Sequence, residues 1–223
     1  MKWIRGKERQ CSNMFVFGSK RAPTGGCPYS LSIPLLVCIL TFAVPFFILA
    51  DLDLPRYGQV PEFAFTERSK IEMTLADLKG KVWIADFIFT RCQGMCPLMT
   101  GRMAALQEKF SGSSVELVSF SVDPEHDTPS VLSDYADKHG AVSGKWVFLT
   151  GQKQAMWKFI TDGFSLGVAE PTAEDLAAGA EPVIHSSRFV LVDQEGQIRG
   201  YFDSSEPLQM DQLVQAAKTL SAF

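Results

Sequence analysis

Two kinds of apolar pattern divide the chain. Leu31–Ala50 is a continuous apolar run interrupted by Ser32, Pro34, Thr41 and Pro45, and no charge occurs between Arg21 and Asp51. From residue 61 onward, short apolar blocks alternate with turn signals. Pro61–Thr66 alternates apolar and polar residues and predicts a short leading strand. Ile71–Leu78 leads into the turn Lys79-Gly80-Lys81. Lys81–Phe89 is apolar on both faces of a strand, which predicts an inner strand covered on two sides. Pro97 marks the start of a helix, where its missing N–H costs little. Leu98, Met103, Leu106 and Phe110 are its candidate core stripe.

Val115–Val122 predicts the next strand. Asp127-Thr128-Pro129 is a helix-start signal, with Val131, Leu132, Tyr135 and Ala136 as the apolar face. Trp146–Leu149 predicts a third strand, and Gln152–Thr161 a helix carrying Met156, Trp157 and Ile160. Gly163–Pro182 is acidic, irregular and punctuated by Gly and Pro, as an insertion or long loop would be. Arg188–Val192 and Gln197–Phe202 flank Asp193-Gln-Glu-Gly196, a hairpin signal. Asp211–Leu220 predicts a closing amphipathic helix. The order β-α-β-α-β-α-β-β-α is that of an α/β, thioredoxin-like sandwich with a central mixed β-sheet.

The uncharged run adds a second expectation. Twenty residues at about 1.5 Å each match a hydrocarbon core of roughly 30 Å. Before it stand Lys2, Arg5, Lys7, Arg9, Lys20 and Arg21 against Glu8 alone, a net charge of +5. The run therefore predicts one N-terminal transmembrane helix, with the N-terminus cytoplasmic and the remainder outside. A cleaved signal peptide is the alternative, although the run is long for a signal core and Ile48-Leu49-Ala50 is a poor small-x-small site. Val37 stands where lipoprotein cleavage before Cys38 needs a small residue. The predicted organisation is a basic tail over 1–30, an anchor over 31–50, a linker over 51–60 and a folded domain over 61–223. The whole chain carries −4, so residues 51–223 carry −9, which argues against nucleic acid as a partner.

Of five cysteines, Cys11, Cys27 and Cys38 fall in the tail or the apolar run, and Cys92 and Cys96 reach the folded domain. This pair follows directly on the predicted inner strand, in Phe89-Thr-Arg-Cys92-Gln-Gly-Met-Cys96-Pro97. If the first helical turn begins near Cys92, the second sulfur lies one turn from the first. Both thiolates can then face one ion or close as a disulfide. A helix N-terminus would lower the thiol pKa and make the pair reactive. A structural disulfide, a redox pair and a metal site all remain open from the pair alone. His185 stands just before the hairpin strand, whose preceding loop returns beside the thiol turn in a thioredoxin-like sheet. Two soft sulfurs and one imidazole suit Cu(I), whereas structural Zn²⁺ wants a fourth ligand. His126, in a loop, and His139, late in a helix, are weaker candidates. Met95 and Met99 either pack or add thioethers near the pair.

Phe87-Ile-Phe-Thr-Arg-Cys92-Gln-Gly-Met-Cys96-Pro97, then Ser119-Phe-Ser-Val-Asp123-Pro-Glu-His-Asp127-Thr-Pro129, then His185 ahead of Val192-Asp-Gln-Glu-Gly196, together resemble the Sco/SenC family. The resemblance covers roughly residues 61–223, and a single N-terminal anchor fits it. It implies a thioredoxin-fold copper protein that helps assemble the binuclear copper centre of cytochrome c oxidase, with Cys92, Cys96 and His185 as copper ligands. Its implied partners are the copper-bearing oxidase subunit and other copper chaperones. Cu(I) is favoured and Cu(II) is possible. The same cysteines would serve thiol–disulfide reduction, so a thiol–disulfide oxidoreductase is the alternative. A cysteine-dependent peroxidase is a third reading that has no use for His185. Three departures stand out. Gln93-Gly94 replace the family's usual Pro-Asp, His126 replaces an Arg, and Ile184 and Ser186 flank His185 where an Asp or Tyr is often found. Few transit-peptide features favour a bacterial inner membrane over a mitochondrial one.

Overall fold

The computed structural model describes residues 54–222. Within this range eight strands form one sheet. They are β1 (Gly58–Gln59), β2 (Ala64–Glu67), β3 (Glu72–Thr74), β4 (Trp83–Ile88), β5 (Glu116–Ser121), β6 (Trp146–Thr150), β9 (Arg188–Val192) and β10 (Gln197–Asp203). A two-residue pair, β7 (Val168–Ala169) with β8 (Ile184–His185), lies apart from that sheet. The helices are α1 (Cys96–Lys109), α2 (Pro129–Lys138), α3 (Lys153–Lys158), α4 (Ala173–Ala177) and α5 (Pro207–Ser221). A wide π turn, Phe159–Gly163, continues α3.

The sheet order is β1-β10-β9-β4-β5-β6-β2-β3. β4, β5 and β6 run parallel, and the β9–β10 hairpin adds antiparallel to β4. This is the mixed sheet of a thioredoxin-like fold. All six residues of β4 are buried, so the unbroken apolar run is explained by cover on both faces. On one face Phe87 stacks on Phe120, and Phe63, Phe65, Phe159 and Phe164 pack edge-on around Phe120 or its neighbours. Side chains alternate along a strand, so Ile84, Asp86 and Ile88 face the other side. There α1 lies between α2 and α5. Thr100 and the Tyr135 hydroxyl are 2.6 Å apart, while Arg102, Leu106 and Lys109 line a groove with Pro207, Met210 and Asp211.

Local signals account for most element ends. Thr128 caps α2, its hydroxyl accepting the Val131 N–H at 3.4 Å, with Pro129 in the first turn. Asp193 Oδ1 accepts the N–H groups of Glu195 and Gln197, and Gly196 takes φ 81°, which closes the β9–β10 turn. Two expectations shift. α1 buries Met99, Thr100, Met103 and Leu106, whereas Leu98 is 41% exposed. The irregular stretch after residue 163 contains β7 and α4, the latter held by a Thr172–Asp175 capping box. The anchor expected over 31–50 lies outside the described residues. Among the described residues no helix is long and apolar enough to cross a membrane.

Candidate metal centre

The cysteine loop leaves the C-terminal end of β4 and is braced from below. Asp127 is fully buried. It accepts the Thr90 hydroxyl at 2.6 Å, the Ser121 hydroxyl at 2.7 Å and, through both oxygens, the Thr90 N–H. Arg91 Nε donates to Asp123 Oδ2 at 2.7 Å. The Asp123–Pro129 motif thus fixes the two residues that precede Cys92, while His126 is exposed on its rim. Burial pushes the Asp127 carboxyl up, against the lowering effect of its Thr90 and Ser121 donors.

Cys96 opens α1 and is buried, whereas Cys92 is half-buried in the bend before the helix. The two are therefore not residues of one helical turn, as the spacing suggested. The loop itself folds back, and the Cys92 N–H donates to the Phe89 carbonyl at 3.3 Å. Both cysteines are free thiols. The helix N-terminus does not make Cys96 acidic. Burial pushes its thiol well up, and contact with Cys92 and the charge of Asp86 push the same way. Desolvation is the largest of these influences, and the backbone contact with Phe89 opposes it.

His185 closes the site from β8. Its Nε2 lies 3.6 Å from Cys96 Sγ, and its Nδ1 is 3.0 Å from the Ser186 carbonyl. A carbonyl can only accept, so Nδ1 carries the proton and Nε2 presents a lone pair to the thiol. The ring stands edge-on to Phe89, with centroids 5.5 Å apart. Burial lowers the His185 pKa, against the raising effects of the Ser186 contact and the Glu181 charge, which keeps the imidazole neutral at pH 7.

Among the described residues, Cys92, Cys96 and His185 form the His/Cys/Asp/Glu group close enough to hold one ion, their donor atoms lying within 4.8 Å of one another. Three donors bound at about 2.0–2.3 Å around a single ion stand about 3.5–4.0 Å apart, so closing the set needs movements of up to about 1 Å. Two sulfurs and a neutral imidazole with its second nitrogen tied to a carbonyl are a soft donor set with an oriented ligand. His139 caps the C-terminus of α2 against Tyr135 and takes no part. Met99 is fully buried in the core, and Met95 is 39% exposed at the helix start.

Two residues near this site went unremarked in the sequence. Asp86 is fully buried in β4. Its Oδ1 accepts the Ser119 hydroxyl at 2.5 Å, and Ser119 in turn accepts the Trp146 indole N–H at 2.9 Å. Its Oδ2 has no hydrogen-bond partner, and burial pushes the carboxyl up to about 7. A lone carboxylate inside an apolar strand was the available signal. Glu181 accepts the Gln93 N–H at 3.0 Å, across 88 positions of sequence, and no sequence pattern announces that contact.

Comparison with known proteins gives a consistent result. The SCO1/SenC family model matches residues 55–221. The SCO1 protein homolog of Bacillus subtilis is 36% identical over 172 residues, covering 76% of this chain and 86% of that protein. The structure of BsSco, a member of the Sco family of cytochrome c oxidase assembly proteins in which a disulfide switch was identified, matches with a TM-score of 0.65 at 35% identity. That match covers 77% of this chain and 97% of the other. Arabidopsis thaliana ScoI with copper bound matches with a TM-score of 0.62 at 25% identity, covering 74% and 100%.

Proposed function

The chain belongs to the SCO1/SenC family, and from that premise we propose that it is a membrane-anchored copper chaperone serving cytochrome c oxidase assembly. The observation that carries the reading is the convergence of Cys92 Sγ, Cys96 Sγ and His185 Nε2 within 4.8 Å. Copper is the cargo, held as Cu(I) by two thiolates and one imidazole. The chain's residues prepare that set. Cys96 Sγ and His185 Nε2 stand 3.6 Å apart, and the thiol protons pass to solvent as the metal takes both sulfurs as thiolates. The Ser186 carbonyl fixes the imidazole tautomer, and Asp127 and Asp123 hold the strand end that presents Cys92. Transfer goes to the copper-bearing oxidase subunit, from a domain held outside a bacterial inner membrane by residues 31–50. A topology reporter fused after Leu54 should be active only outside. Recovery of a soluble mature protein starting near Asp51 would contradict the anchor.

A second reading has its own support. An accessible Cys92 beside a buried Cys96 is the layout of an attacking and a resolving thiol. The two thiols would give two electrons and two protons to a partner's disulfide and become a disulfide themselves. His185→Ala separates the readings. Copper affinity should fall by a large factor at every pH at which the thiols are deprotonated, while disulfide exchange falls less. Equal copper binding by the variant and the wild type across a pH series would remove His185 from the site and favour the reductase.

A further inference from the structure

Glu181 stands four residues ahead of His185, on the segment that returns from α4 to β8. Its Oε1 accepts the Gln93 N–H at 3.0 Å. A Cβ built on Gly94 would stand 3.3 Å from the same oxygen and 4.0 Å from Cys92 Sγ. One carboxylate therefore covers the bend between the two cysteines from outside, and Gly94 leaves the room for it. The segment that makes this contact also delivers the imidazole to Cys96. On the C-terminal side the segment runs into β9, which pairs with β4 in the main sheet, whereas ahead of His185 its regular support is the two-residue pairing of Val168 with His185 and Ala169 with Ile184. A ladder that short is marginal alone. The Glu181–Gln93 contact is a direct side-chain tie from this segment to the cysteine bend itself, beyond the reach of the β4–β9 ladder.

We propose that Glu181 is a positioning residue, a clasp that holds the His185 strand at a fixed distance from the cysteine bend and so keeps the three donors assembled. This rests on reading Cys92, Cys96 and His185 as one site, but the clasp can be read without metal. The test is amide hydrogen exchange on the reduced, metal-free full chain. In Glu181→Ala, exchange at Gln93 should rise on the order of tenfold, with exchange at Ile184 and His185 rising alongside and protection in the β4–β6 core unchanged. Glu181→Gln, which keeps an acceptor oxygen, should restore part of the protection. Gly94→Ala presses on the same contact from the other side and serves if Glu181→Ala does not fold. It should raise Gln93 exchange in the wild-type background and add nothing to Glu181→Ala. Unchanged exchange at Gln93 would overturn the clasp, and a rise confined to Gln93 would overturn its positioning role. Cu(I) competition on the same proteins should show the wild type retaining metal about tenfold more tightly than Glu181→Ala. A wild type that binds no Cu(I) would defeat the copper reading and leave the exchange result standing.

Discussion

Asp86→Asn should make the domain more stable at neutral and alkaline pH and leave it almost unchanged at pH 4–5. The carboxyl rises from 3.8 in the unfolded chain to about 7 in the fold because burial disfavours its charge. A carboxyl raised on folding contributes stability that is present below its unfolded pKa and is lost as pH rises through its folded one. Each pH unit of that window is worth about 1.4 kcal/mol, so the full window of roughly three units sets a ceiling of about 4 kcal/mol above pH 7. Asparagine keeps an oxygen for Ser119 and places an NH₂ where Oδ2 already lacks a partner, which puts the net gain at about 2–3 kcal/mol. Urea unfolding of both proteins, reduced and metal-free, from pH 4.5 to 8.5 should show a difference that widens to about pH 7 and then levels off. His139 and His185 are lowered on folding in both proteins and cancel in the difference. Parallel stability curves across this range would refute the argument. Removing this charge also takes away one of the influences holding the Cys96 thiol protonated, so Cys96 should alkylate faster in the variant.

Asp127→Ala should cost about 3 kcal/mol in urea unfolding, because it strands the Thr90 and Ser121 donors beneath the cysteine loop. It should also weaken copper retention without touching a ligand, and a variant as stable as the wild type would show that the brace is dispensable. Mild oxidation should join Cys92 to Cys96, seen as a two-proton mass loss mapped to that pair, and the oxidised protein should take up no Cu(I). Unchanged uptake would place the metal elsewhere.

The fold was legible where burial was unambiguous. β4 could be read because every position is apolar or hidden, and the β9–β10 hairpin because Asp193 and Gly196 leave the turn few alternatives. The helix stripes were less legible. In α1 Leu98 and Met99 are both apolar, and only the direction of α5 and the sheet decides that Met99 goes in and Leu98 stays out. The donor set was legible as residue types, but its geometry was not. A shared helical turn required the helix to begin near Cys92, whereas it begins at Cys96 and the bend before it does the folding back. The depressed thiol pKa expected at a helix start gave way to burial, a tertiary effect with no local signature. Glu181 reaches Gln93 across 88 positions from the end of a stretch whose composition shows merely a loop.

Anaerobic titration of the reduced protein with Cu(I), counting bound metal against free thiols, tests the central claim most directly. One Cu(I) should bind per chain as the Cys92 and Cys96 thiols disappear together, with Cys92→Ser and Cys96→Ser each abolishing binding at competition-level affinity. Full stoichiometry in either serine variant, or titration that leaves both thiols reactive, would contradict it.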